Sequence, residues 1–400
     1  MEQQQQNNIS LSNADIICLS TSDWQLPYGS KQQIMSVLAR QNRILYVEAQ
    51  ISILHILKDP LKGYKRIRRW IKGISSSGKV YIYTPMPLFP FANHFLFVNR
   101  INQAILLYSL KRIIKKLNFV TPLLWTYCIN SALLLGKLNE KLSIYYCIDD
   151  FPSEKSCSKR KKVLGILEDR MLKKADIVFA CTKTLCEDRH KRRPDIHFVR
   201  NGVDFKAFHK KYILEEIPDD ISNIKSPRIG YVGTLDSRID CDLILSLASE
   251  NNDWQIVLIG NNIMPSRERV ALRNFSNIHN LGFKHPELIP IYINMLDVCI
   301  MPYRATEFNN HIFPLKTLEY LAAGKPIVST YLPDLDEFSN IIKLCRNRTE
   351  FINYVNSYIG NDNGISIRKE IAAKFSWESR TEEITQIILQ RLCPEDYKVQ

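Results

Sequence analysis

The chain has 400 residues, 45% of them hydrophobic, which is enough to bury extensive cores and more than one domain's length. Its ten cysteines are scattered without a CxxC pair, a pattern that argues against structural zinc and fits reduced thiols in a reducing cytosol. The net charge of +13 is uneven: residues 1–205 hold 32 Lys+Arg against 16 Asp+Glu, a net +16, and the remainder 22 against 25, a net −3. The first half is therefore expected to face polyanions, anionic lipid or phosphorylated substrate.

The N-terminus MEQQQQNNIS has no basic region followed by an apolar core, and the apolar runs elsewhere fall short of the roughly 20 residues that span a bilayer. A cytoplasmic protein, neither secreted nor membrane-spanning, is expected. After the polar tract at 3–8, short β-rich runs alternate with helical patterns, at 15–20, 43–48, 80–84, 123–127, 143–148, 176–182 and 197–200. Near-continuous apolar runs of this kind suit strands buried on both faces of a parallel sheet. A second series follows at 228–232, 255–259, 277–281, 298–302 and 327–330. Between the series, the polar stretch 206–227 with its Pro218-Asp219-Asp220 turn reads as a linker. The expected fold class is α/β, with two Rossmann-like doubly wound domains at 1–205 and 228–365 and a closing helix and tail at 366–400.

Ligands of open α/β sheets bind beyond the carboxyl ends of the strands, so the loops there carry the candidates. Ser22-Asp23-Trp24 follows the first strand and is either acceptor-side or a turn with an anchoring tryptophan. Residues 61–72 place Tyr64, Ile67, Trp70 and Ile71 at helical spacing among Lys62, Lys65, Arg66, Arg68, Arg69 and Lys72, the pattern of an interfacial helix on anionic lipid. The amphipathic run 96–117 reads as an ordinary domain helix with a solvated basic side. Asp149 and Asp150 end an apolar strand, where adjacent carboxylates bind hydroxyls, act as a base or cap the next helix. The basic run 155–162 follows them. Gly233-Thr234 follows the first strand of the second series, and neither first loop carries GxGxxG, which disfavours a dinucleotide-dependent dehydrogenase.

The segment 313–330, FPLKTLEYLAAGKPIVST, reads as helix, cap and strand: Pro314 at the first helical position, Gly324 as a left-handed cap, Pro326 as a stop. Lys316 in the first turn opposes the helix dipole, which a bound phosphate would explain. Glu319, one turn deeper, is placed to accept hydrogen bonds from ribose hydroxyls. An ordinary surface pair on a core helix is the alternative reading.

Together with IGYVGTLD (229–236), WQIVLIG (254–260), NIHNLGF (277–283), DVCIMPYR (297–304), YYCIDDF (145–151), ADIVFACT (175–182), VRNGVDF (199–205) and FSWE (375–378), this segment resembles the GT-B glycosyltransferases of group 1, or family 4, particularly those of bacterial cell-surface polysaccharide synthesis. The resemblance spans most of the chain and implies two domains facing across a cleft, with the final helix crossing back to the first. It implies that Glu319 holds the donor ribose, that backbone amides near Phe313–Lys316, the stretch Phe313-Pro314-Leu315-Lys316, cradle the diphosphate, that Gly282-Phe283 meets the base, and that Lys316 and Arg304 bind phosphate. Gly233-Thr234 would let backbone approach the diphosphate, with Arg238 or Asp240 lining the same crevice. The family's pair of glutamates is incomplete, because His311 stands eight before Glu319 where the first is expected, and the sugar it would select is left open.

The resemblance implies transfer of a sugar, with retention at the anomeric carbon, from a nucleotide diphosphate sugar, UDP ahead of GDP, to a lipid-linked or polysaccharide acceptor. No metal or other cofactor is expected. The expected partners are the donor, a glycan or lipid-linked acceptor and an anionic membrane surface, with no nucleic acid. A same-fold epimerase and a non-catalytic membrane-associated nucleotide-sugar binder are the alternatives.

Overall fold

The computed structural model describes residues 11–25, 29–148, 158–210, 212–306, 309 and 313–395. The chain divides into two units, Met1–Arg200 with Arg380–Gln400, and Asn201–Ser379. None of the described helices is long and apolar enough to cross a membrane.

The first unit is built on an eight-stranded sheet of β1 (Asp15–Leu19), β2 (Arg43–Val47), β3 (Ile74–Ser77), β4 (Val80–Tyr83), β5 (Leu123–Thr126), β6 (Leu142–Cys147), β7 (Ile177–Ala180) and β8 (His197–Phe198). Its order is β3-β4-β2-β1-β5-β6-β7-β8, parallel throughout except for the β3–β4 pair. Ile16, Ile17 and Cys18 of β1 are fully buried, as expected of a central strand covered on both faces, and each such isoleucine contributes about 1.5–3 kcal/mol.

The second unit holds a six-stranded, wholly parallel sheet of β9 (Arg228–Val232), β10 (Gln255–Ile259), β11 (Ile278–Gly282), β12 (Val298–Met301), β13 (Ile327–Thr330) and β14 (Lys343–Cys345), in the order β11-β10-β9-β12-β13-β14. In both sheets the first strand lies where the order reverses, with β1 between β2 and β5 and β9 between β10 and β12. The loops after β1 and β9 thus flank the two topological switch points.

Every expected strand is present. The structure adds the serine-rich antiparallel edge β3 and the three-residue β14. Residues 206–227 are not a free linker: they carry the short helices Phe205–His209 and Asp219–Ser222, and Phe208, Ile221 and Ile224 are buried in the second core. The last long helix, Trp377–Leu392, begins in the second unit and belongs to the first from Arg380 onward.

Candidate active site

The helix Lys316–Ala322 is shorter than the sequence suggests. Pro314 and Leu315 form a turn whose carbonyls accept from the amides of Thr317 and Leu318, 2.9 and 3.0 Å away. Gly324 ends the helix with φ +76°, the left-handed conformation expected of it. Leu318, Leu321 and Ala322 bury the apolar face. Tyr320 anchors the helix to the sheet, its hydroxyl accepting from the Val232 amide at 2.9 Å. This contact brings Lys316 and Glu319 to the carboxyl end of β9.

Lys316 Nζ donates to Tyr303 Oη at 2.9 Å and to Tyr231 Oη at 3.2 Å, and lies over both rings, 5.4 and 4.7 Å from their centroids. Tyr231 in turn donates to the Thr234 carbonyl at 3.2 Å. Burial works against the ammonium's charge, but the two tyrosine oxygens outweigh it and hold the lysine's pKa above its ordinary value. With two of its three protons engaged, the ammonium keeps one for a ligand. The Glu319 carboxylate accepts no hydrogen bond among the described residues, and burial pushes its pKa up against the opposing pull of Lys316.

Gly233, at φ +149°, leaves the space in front of this lysine: a Cβ there would lie 2.9 Å from Lys316 Nζ and 3.0 Å from Tyr231 Oη. Its amide donates to the Ile259 carbonyl, and the Gly260 amide donates to the Gly282 carbonyl, both at 2.8 Å. Three successive strand ends are so laced together. Beyond them lies a cavity of about 560 Å³ lined by Gly260, Asn261, Asn262, Arg269, Arg273, Asn280, Gly282 and Phe283. Phe283 is 62% exposed beside it, a planar face suited to stacking, and the two arginines lie one turn apart on the helix Ser266–Arg273.

The structure therefore brings together Lys316, Glu319, Gly233 and Thr234, and ties them through Gly260 to Gly282 and Phe283. It also gives several donor-side candidates other contacts or a buried place. Arg304 is not free for phosphate: Nη2 pairs with Glu268 Oε1 and Nε donates to the Ile239 carbonyl, each at 2.9 Å. Phe313 and Pro314 are buried, Phe313 packing on Phe338 with centroids 5.9 Å apart. Arg238 pairs with Asp236, and Asp240 caps the helix Cys241–Glu250. His311, Asp149 and Asp150 lie outside the described residues.

On the first unit, Asp23 is bonded by Arg66 at 2.8 Å and by Arg69 at 2.6 Å. Arg69 also reaches Glu48 at 3.1 Å, and Glu48 accepts from the Trp24 amide and the Thr84 hydroxyl. Burial pushes the Asp23 pKa up, but hydrogen bonds from Arg69 and Arg66 outweigh it and leave it below the ordinary value. Trp24 is buried edge-on to Tyr46, and the Ser22 hydroxyl contacts Tyr46 and Gln32. Residues 22–24 thus form a pinned turn. The same pairs correct the membrane surface, since Arg66 is 5% exposed and Arg69 faces inward to two carboxylates. Lys65, Arg68 and Trp70 remain exposed on that helix, Pro60–Lys72, with Lys62, Tyr64 and Ile71.

Tyr231, Tyr303, Arg269 and Arg273 escape a reading by motif. Arginines at 269 and 273 in SRERVALR were the available signal, a basic stripe on a helix leading away from a strand end.

Residues 226–357 match the family described as Glycosyl transferases group 1. The matched segment lies wholly within the second unit. Over 184 residues, 44% of this chain, the sequence is 30% identical to a Bacillus subtilis (strain 168) protein, TuaH, provisionally named a teichuronic acid biosynthesis glycosyltransferase. That match spans 45% of TuaH, less than half its length. Sucrose-phosphate synthase from Thermosynechococcus elongatus is similar in fold, with a TM-score of 0.66 and 15% identity over 96% of this chain and 100% of that one. HepE of Anabaena, solved in complex with UDP-glucose, has a TM-score of 0.61 and 13% identity, over 94% and 99% of the two chains. These likenesses show the GT-B fold. Lys316, Glu319, Gly233, the three tyrosines and the cavity all fall inside the matched group 1 segment.

Proposed function

We propose that the chain is a glycosyltransferase that moves a sugar from a nucleoside-diphosphate sugar, UDP ahead of GDP, to a glycan or lipid-linked acceptor in polysaccharide synthesis. One observation carries this reading: an ammonium with a proton to spare and, one helical turn on, a carboxylate that accepts no hydrogen bond among the described residues stand at the switch point of the second unit. A phosphate answers the first and ribose hydroxyls the second. The cavity beside Phe283, with Arg269 and Arg273, suits the base, and HepE, of the same fold, was crystallised with UDP and with UDP-glucose.

On this reading Lys316 stabilises charge developing on the departing diphosphate. The sugar is transferred with retention, no metal takes part, and the acceptor binds the first unit. The exposed apolar and basic residues of Pro60–Lys72 and its neighbour Ile53–Lys58 rest on anionic lipid at the inner face of the cytoplasmic membrane.

The test is release of nucleoside diphosphate across a panel of UDP-, GDP- and ADP-sugars, with and without a membrane lipid extract. Acceptor-dependent release from a UDP-sugar is expected. An isomerised donor would instead make the protein an epimerase, and binding without turnover would make it a nucleotide-sugar binder.

A further inference from the structure

The first unit holds a second cavity, of about 390 Å³, that the donor chemistry does not use. Gln50 follows β2, Phe89 and Phe91 follow β4, and Asn130 follows β5, so the cavity lies at the carboxyl ends of three strands, where open α/β sheets take ligands. Its volume is within the roughly 300–1,000 Å³ of small-molecule sites.

Its floor is unusual for a core-facing helix. Asn99, Asn102 and Gln103 stand at i, i+3 and i+4 on the helix Leu96–Leu117, all 2% exposed or less. Asn102 serves the structure, accepting from the Phe89 amide at 3.0 Å and donating to the Phe89 carbonyl at 2.9 Å. The others are half-satisfied. Gln103 donates to Gln50 Oε1 at 2.8 Å, Asn99 to the Asn130 carbonyl at 3.3 Å, and Asn130 to Asn93 Oδ1 at 3.0 Å. The remaining oxygens of Gln103, Asn99 and Asn130, and Nδ1 of His94, are buried without a hydrogen-bond partner among the described residues. Exchanging the nitrogen and oxygen of any of these amides would trade an orphaned acceptor for an orphaned donor.

Buried polar atoms are normally satisfied, so four orphans lining one cavity call for a ligand that is itself rich in hydrogen-bonding groups. Hydroxyls fit, because each both donates and accepts. Among the described residues no carboxylate lines the cavity, which leaves a cation without a counter-charge there, and Lys58 and Arg160 are among its lining residues. At the lip, Phe89 and Phe91 are 58% and 57% exposed and offer ring faces to the C–H surface of a sugar.

We infer that this cavity binds a pyranosyl residue of a glycan, its hydroxyls on Asn99, Gln103 and Asn130 and its apolar face on the Phe89–Phe91 lip. That this glycan is the acceptor rests on the transferase reading above.

The experiment is saturation-transfer NMR on the full chain, without donor, using oligosaccharides ending in glucose, galactose, mannose, N-acetylglucosamine or glucuronic acid. At least one is expected to bind, with affinity falling tenfold or more in Gln103→Leu and in Phe91→Ala and unchanged in Lys316→Met. The exposed Phe91 keeps the test valid where the buried substitution disturbs folding. Binding by no saccharide, or binding that survives both substitutions, overturns the site. Saccharide binding without nucleotide release from any donor leaves the site standing and removes the transferase reading; nucleotide release with no saccharide bound does the reverse.

Discussion

The loops that follow β1 and β9 stand at the same place in their two sheets, yet they are filled in opposite ways. After β1, Asp23 is closed by two arginines, and Glu48 beneath it by three donors. After β9, a glycine leaves room in front of Lys316, and the neighbouring carboxylate of Glu319 has no partner among the described residues. Charge alone does not mark a binding site. Charge that the fold leaves unanswered does, because it costs stability that only a ligand restores.

The sharpest way to break this comparison is to treat both sides alike. Arg66→Ala removes a buried partner and is expected to destabilise the first unit by about 3–5 kcal/mol, read as a fall in denaturation midpoint, while donor affinity is kept. If stability holds and turnover falls, the Asp23 loop is functional after all. Lys316→Met is expected to do the opposite, lowering turnover about 10²–10³-fold with little effect on folding. Glu319→Gln should lower donor affinity about tenfold, on the order of 1.4 kcal/mol for hydrogen bonds to a charged group, yet leave the ligand-free protein as stable as before or more so at neutral pH. A loss of stability without a change in donor affinity would make Glu319 a structural residue.

Acid should separate the two regions further. Asp23, with its pKa lowered, contributes stability that is present above the ordinary value of 3.8 and lost as pH falls through the lower folded value. Glu319, with its pKa raised, contributes stability present below its ordinary value of 4.5 and lost as pH rises through the higher folded value. Ligand-free hydrogen exchange is therefore expected to slow around Glu319 on mild acidification, and to quicken around Asp23 only at lower pH. The smallest expected effect is at the surface: Lys65→Gln with Arg68→Gln should weaken sedimentation with phosphatidylserine vesicles by about 1 kcal/mol per charge at low salt. Unchanged sedimentation would remove this helix from the membrane reading.

Much of the fold was legible because strands buried on both faces write themselves as apolar runs, as in Ile16–Leu19 of β1 or Ile256–Ile259 of β10. What was not legible lacked that signature. Strand β3 is a row of serines at an edge, and Phe208, Ile221 and Ile224 are isolated among the polar residues of 206–227, so their burial shows only once the second core is assembled. Lys316 and Glu319 could be chosen from spacing on one helix. The partners of Asp23 lie 43 and 46 residues away, a distance at which sequence gives no hint of pairing. The amides at 99, 102 and 103 do not stand out in the run 96–117, because the burial that gives them meaning arises only in the folded unit.

The lacing of the strand ends after β9, β10 and β11 bears on any redesign of this protein. Gly260 runs so close to the Gly233 carbonyl that an added Cβ would overlap it, and each of the two amides is answered by the next strand along. These loops are one mechanical part. Grafting a single one from a relative with a different donor should misfit its neighbours, whereas exchanging all three together preserves the seam.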